Sequence, residues 1–126
     1  GRTLLAANNY SASFLALRRF EEAKALLRKT MPVARRVLGE SHELTLRMRW
    51  AYARALYENP GATLDDLREA VTTLEDADPI ARRVLGSSNP VANAIESSLR
   101  DARAALAARD VESLREAVEA MTPGDA

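Results

Sequence analysis

Apolar residues along this chain recur at alternating steps of three and four, the spacing that gathers side chains on one face of an α-helix. From Phe20 to Leu38 the positions are Phe20, Ala23, Leu26, Leu27, Met31, Ala34, Val37 and Leu38. From Leu44 to Tyr57 they are Leu44, Met48, Tyr52, Ala55 and Leu56. No strand pattern occurs anywhere, so the fold class expected is all-α. The punctuation agrees with helices of this length. Gly39 suits a left-handed C-terminal stop, Ser41 and His42 offer the next start, and Asn59-Pro60-Gly61 ends the helix that follows. Thr63 with Asp66 three residues on resembles a capping box, and Asp65 and Asp66 sit where the helix dipole favours anions. Asn89 before Pro90 reads as a cap followed by a proline in the first turn. Pro32 and Pro79 fall inside helices, where each removes one hydrogen bond and predicts a bend. Two more helices are expected at about Val91 to Ala108 and Val111 to Met121, which makes six antiparallel helices in three pairs.

The pairs repeat. Pro32-Val33-Ala34-Arg35-Arg36-Val37-Leu38-Gly39-Glu40-Ser41 returns as Pro79-Ile80-Ala81-Arg82-Arg83-Val84-Leu85-Gly86-Ser87-Ser88, eight of ten positions identical at a spacing of 47 residues. Phe20-Glu21-Glu22-Ala23, Leu67-Arg68-Glu69-Ala70 and Leu114-Arg115-Glu116-Ala117 recur at the same spacing. Ala23, Ala70 and Ala117 are then equivalent small residues in the second helix of each pair, where the first helix must come close. A helical hairpin of this kind exposes an apolar face that needs a neighbour, so the units are expected to stack into a short right-handed solenoid. The predicted organisation is a repeat domain over 1–121, with units at about 3–39, 42–86 and 89–121, and a polar tail over 122–126.

Composition narrows the chemistry. Of 126 residues, 18 are basic and 18 acidic, for a formal net charge of zero, with no cysteine and one histidine. The absent cysteines exclude a disulfide scaffold, a thiolate metal site and a thiol nucleophile. The charge balance argues against a nucleic-acid partner, which calls for a basic excess. No apolar run is long enough to span a bilayer, and no signal-peptide pattern is present, so membrane insertion is not expected and the expected setting is intracellular, in the cytoplasm. The chain lacks an initiator methionine and reads as about three links of a longer one.

The quoted blocks resemble the tetratricopeptide repeat, and in particular its 42-residue form in kinesin light chains. Asn8-Asn9-Tyr10-Ser11, Arg19-Phe20-Glu21-Glu22-Ala23 and Val37-Leu38-Gly39-Glu40-Ser41-His42 match the three elements of that repeat in the first unit. Tyr52-Ala53, Asp66-Leu67-Arg68-Glu69-Ala70 and Val84-Leu85-Gly86-Ser87-Ser88-Asn89-Pro90 match them in the second. Arg18 stands where the family has a glycine, Asn59 to Thr63 lengthen the hairpin turn, and Arg100 occupies a position where the family has a small residue. The resemblance implies a right-handed superhelix whose concave groove, lined by the first helix of each pair, binds a partner segment. Carried across, the groove positions are Leu5, Asn8, Asn9, Ala12 and Leu15, then Arg47, Trp50, Ala51, Arg54 and Tyr57, then Ala94, Ser97, Ser98 and Asp101. Asn9 matches the asparagine that contacts a bound peptide's backbone in the family.

Arg47, Trp50, Arg54 and Tyr57 recur at steps of three and four, which puts two guanidiniums and two aromatic rings on one side of a helix. A protein or peptide partner with acidic and aromatic or aliphatic residues suits that side; the alternative for Trp50 is a place in the core against Met48. His42 has no second imidazole for a metal and reads as a helix start. Glu21-Glu22 and Asp65-Asp66 read as solvated first-turn acids, and Arg35-Arg36 and Arg82-Arg83 as partners in salt bridges between neighbouring helices. With no catalytic constellation, no phosphate loop and no metal or cofactor expected, the function expected is a protein-interaction module or scaffold, not an enzyme. The second reading is a structural or assembly subunit buried in a larger complex, against neighbouring repeats or subunits.

Overall fold

The computed structural model describes residues 2–121, so the polar tail at 122–126 lies outside the described residues. Five helices follow one another: α1 Arg2–Ala16, α2 Phe20–Leu38, α3 Glu43–Tyr57, α4 Leu64–Leu85 and α5 Pro90–Glu119. The connections between them are only a few residues long, which makes successive helices antiparallel. α1 packs on α2 and α3, α3 also on α2, α4 and α5, and α4 on α5. The first helix of each pair therefore touches the first helix of the next, and α3 sits at the centre.

The starts expected from the sequence form by local hydrogen bonding. His42 caps α3, its Nδ1 accepting from the Leu44 amide at 3.0 Å, which is the helix-start role. Thr63 and Asp66 exchange bonds in a full capping box, the Asp66 amide donating to Thr63 Oγ1 and the Thr63 amide to Asp66 Oδ2. Those bonds hold the Asp66 carboxyl below the usual carboxylate range. Asn89 Oδ1 accepts from the amides of Val91 and Ala92, with Pro90 in the first turn of α5. α2 and α4 continue through Pro32 and Pro79 as single helices.

The repeat is visible in the burial. Ala23 and Ala70, Leu27 and Leu74, and Ala34 and Ala81 are pairs at the 47-residue spacing, and all six are fully buried. Leu46, Met48 and Leu56 of α3 and Ile95 of α5 complete the centre of the core. One pair is mismatched, because Asp78 stands at the place of Met31. It is buried, its Oδ2 accepts from Arg82 at 2.7 Å, and its Oδ1 has no hydrogen-bond partner.

Three expectations are corrected. Among the described residues the chain forms five helices rather than six: α5 runs unbroken where two helices were expected, so the third hairpin is not made. The segment from Ala104 to Asp110 holds three or more alanines and neither glycine nor proline, and nothing in it stops a helix. A hairpin there would also cover the outward side of α5, where Glu96, Arg100 and Arg103 stand, at a desolvation cost of several kcal/mol per charge. Consequently Ala117 is exposed, unlike Ala23 and Ala70.

Second, Gly39 and Gly86 do not adopt the left-handed helical conformation. Their φ/ψ values of 93°/163° and 89°/155° fall in the extended region open to glycine almost alone. Each amide still closes the helix, donating to the carbonyl of Arg35 or Arg82. A methyl group at either position would meet no atom within 4 Å, so a substitution is felt by the backbone only. Gly86→Ala is therefore expected to lower stability by about 1–3 kcal/mol, seen as a lower urea midpoint with an unchanged slope.

Third, Arg35 and Arg82 bridge locally rather than to neighbouring helices, Arg35 to Glu40 in the following turn at 3.5 Å and Arg82 to Asp78 on its own helix. Ion pairs between helices come from other residues: Arg28 with Glu69, and Arg103 with Glu75. The turn between α1 and α2 closes without glycine, Arg18 itself taking φ of 58°.

Candidate functional site

The candidate site is built on the central helix α3, whose residues divide between two faces because successive side chains advance by about 100°. On one face Tyr52 is buried and ties three helices together. Its hydroxyl accepts from Arg28 Nε of α2 at 2.8 Å and donates to Glu69 of α4. Burial first, and the bond to Glu69 second, push this phenol up to about 12. This network was not legible in the sequence: Tyr52 and Glu69 stand in quoted repeat blocks, but the three residues are far apart in the chain and nothing in those blocks pairs them.

The opposite face of α3 carries Arg47, Trp50, Ala51 and Arg54. They line a groove of about 500 Å³ together with Asn8, Asn9, Ala12, Leu15 and Ala16 of α1 and Pro90, Val91 and Ala94 of α5. The structure thus brings together Asn8, Asn9, Arg47, Trp50 and Arg54 from three-and-four spacing on two helices. Tyr57 is not among the lining residues. It is half-buried one turn further on, where burial raises its phenol against a hydrogen bond with Ser98 that lowers it. Leu5, Ser97, Ser98 and Asp101 also lie off the groove wall, whereas Pro90 and Val91 are on it and were not singled out. Their signal was available in the capped start of α5, which sets its first turn beside α3.

Trp50 serves both roles considered for it. It packs half-buried against the core, its Nε1 donates to Ser98 Oγ of α5 at 2.8 Å, and it still lines the groove. The Arg54 guanidinium lies 5.3 Å from the centre of the Trp50 ring and is held at both ends by Glu58, at 2.7 and 3.2 Å. Those bonds raise the Arg54 pKa despite its partial burial. Arg54 is therefore a neutralised, stacked wall residue rather than a free cation. Arg47 is different: its contact with Glu43 is 3.8 Å long and its side chain is half exposed. Such a pair is worth little and is easily exchanged for another carboxylate.

The groove runs between first helices, over an apolar floor of Ala12, Leu15, Ala51 and Val91. Two side-chain amides and a loosely held guanidinium rim it. Residues 3–43 match the family model described as tetratricopeptide repeat. Over that stretch the chain is similar to a tetratricopeptide repeat. The match covers α1, α2 and the first residue of α3; the second unit shows its kinship through the 47-residue internal repeat and the shared burial. No curated protein and no solved structure matches the chain. Tetratricopeptide repeats generally mediate protein–protein interaction, and the match to that family spans α1 and α2. Among the described residues no helix is long and apolar enough to cross a membrane. Among the described residues no group of three or more histidine, cysteine, aspartate or glutamate residues is placed to hold a metal ion.

Proposed function

We propose that this tetratricopeptide repeat binds a short segment of a partner protein in the groove between α1, α3 and α5. The supporting observation is the groove itself: an apolar floor of small and aliphatic side chains with Asn8, Asn9 and Arg47 along it. Side-chain amides satisfy a backbone that enters as a strand or a turn of helix, and the apolar floor takes an aliphatic or aromatic anchor. The Arg47 guanidinium then selects a carboxylate near that anchor. Our reading of the ligand is a segment combining one acidic and one apolar residue. Within the family, the 42-residue form of the repeat is the type proposed for this chain. A permanently assembled subunit is the second reading, favoured by the apolar residues left exposed on the last turns of α5.

Trp50 is the only tryptophan and lines the groove, so its emission reports occupancy. Titration with peptides carrying an acidic residue next to an apolar one is expected to shift that emission saturably. Ala12→Arg fills the floor and repeats the charge of the rim, and is expected to abolish the shift, while Arg47→Ala weakens binding by roughly tenfold, about 1.4 kcal/mol. Binding that survives Ala12→Arg with unchanged affinity would place the ligand elsewhere.

A further inference from the structure

The last turns of α5 present Val111, Leu114 and Val118 to water on a single line. These three, and Met121 just past the end of the helix, are between 58% and 66% exposed. Along the same line towards the start of the helix lie Ala107 and Ala104, both exposed, and then the charged Arg100 with its partner Glu96. The side of α5 that meets the rest of the chain is the opposite one. Ala102 is buried there, and Arg109, Ser113 and Glu116 border the surface beside Pro60. At about 100° per residue the apolar line points away from the body of the molecule. It also leaves the groove open.

The spacing is that of a coiled-coil seam, with Ala104, Val111 and Val118 at the first position of successive heptads and Ala107 and Leu114 at the fourth. β-branched residues at the first position with leucine at the fourth favour two parallel strands. The flanking charges agree with that arrangement. In a parallel pair the residue just before a first-position side chain faces the residue five further on in the other copy, and here these are Asp110 and Arg115, of opposite sign. The chain's own third hairpin is the competing occupant. It would lay this face against the charged outward side of α5.

We propose that residues 104–119, the last part of α5, form a dimerisation helix that pairs with the same segment of a second copy in parallel. The two bodies then stand side by side with both grooves free. At about 1.5 Å per residue the seam is roughly 24 Å long, which is short, so the dimer is expected to dissociate on dilution.

Light scattering or sedimentation of the 126-residue chain over a hundredfold concentration range tests this. The expected mass rises from 13.8 kDa on dilution to twice that value when concentrated. Val118→Glu, at an exposed position, is expected to give a monomer throughout with unchanged helical circular dichroism. Because the chain has no cysteine, Leu114→Cys should form a disulfide-linked dimer on mild oxidation, since a fourth-position residue in a parallel pair faces its own copy. Arg115→Asp should weaken the dimer and Asp110→Arg with Arg115→Asp restore it. A monomer at all concentrations, or a dimer indifferent to Val118→Glu, overturns the proposal. So does a monomer in which the thiol of Leu114→Cys is shielded from alkylation, which would show the face covered by the chain's own third hairpin.

Discussion

Leu74→Ala is expected to destabilise the chain by about 2–5 kcal/mol, the range for truncating a fully buried leucine that its surroundings cannot collapse around. Leu74 has no exposed surface and lies on the face of α4 that carries Ala70 and Ala77. Its neighbours on that face are already alanines, so few side-chain atoms are free to move into the space. The equivalent residue in the first unit is Leu27, also fully buried. Leu27→Ala should cost a similar amount but act on different contacts, since α2 meets α1 and α3 whereas α4 meets α3 and α5. Chemical denaturation with helical circular dichroism and Trp50 emission as separate probes makes the comparison. Coincident transitions in both variants are expected if the helices unfold as one unit. A loss below about 1 kcal/mol for Leu74→Ala would mean that α4 is not packed as described.

Arg49→Met should have the opposite character: no loss of stability, and a gain of up to about 3 kcal/mol. The Arg49 side chain is 4% exposed, whereas its acidic partners Glu40 and Asp76 are 53% and 67% exposed. Contacts of 3.4 and 4.0 Å are long for charge-assisted bonds, and Nε has no partner at all. Burial, and after it the nearby Arg35, lower the Arg49 pKa, a sign that the charged form is poorly compensated. Methionine keeps the apolar stem and removes the buried charge, and it leaves the two carboxylates in water where they need no partner. Glu40→Gln should instead destabilise, by about 1 kcal/mol, because it removes the nearer counter-charge and leaves the guanidinium buried. Thermal melts of the two variants side by side decide the matter: a large loss for Arg49→Met would show that the guanidinium holds the loop after α2 in place.

The helices were legible because their signals are local. His42, Thr63 with Asp66, and Asn89 before Pro90 cap helices through bonds reaching two or three residues along the chain, and a sequence displays such distances directly. The three-and-four pattern named the buried face of α2 and part of that of α3 for the same reason, although Val37 is exposed. Asn8, Asn9, Arg47, Trp50 and Arg54 came with them as the wall of the groove, since a resemblance to a repeat carries its register. The state of each side chain did not follow. That Glu58 occupies Arg54, that Ser98 accepts from Trp50, and that Tyr57 turns off the wall depend on rotamers and on how α5 sits against α3.

The third unit shows the boundary most clearly. Leu114-Arg115-Glu116-Ala117-Val118 repeats the block of α4, and repetition alone predicts a second helix folded back on the first. Whether a hairpin forms depends on what the returning helix would cover. The side it would have to cover carries Glu96, Arg100 and Arg103, and the intervening alanines give the backbone no reason to turn. By itself the sequence determined an all-α repeat, its caps and part of its buried faces, because periodicity and short-range hydrogen bonds are properties of the chain alone. Only the tertiary structure decided that α5 is one helix and that its last apolar face looks outward, because burying a charge is a cost set by the neighbour it would meet.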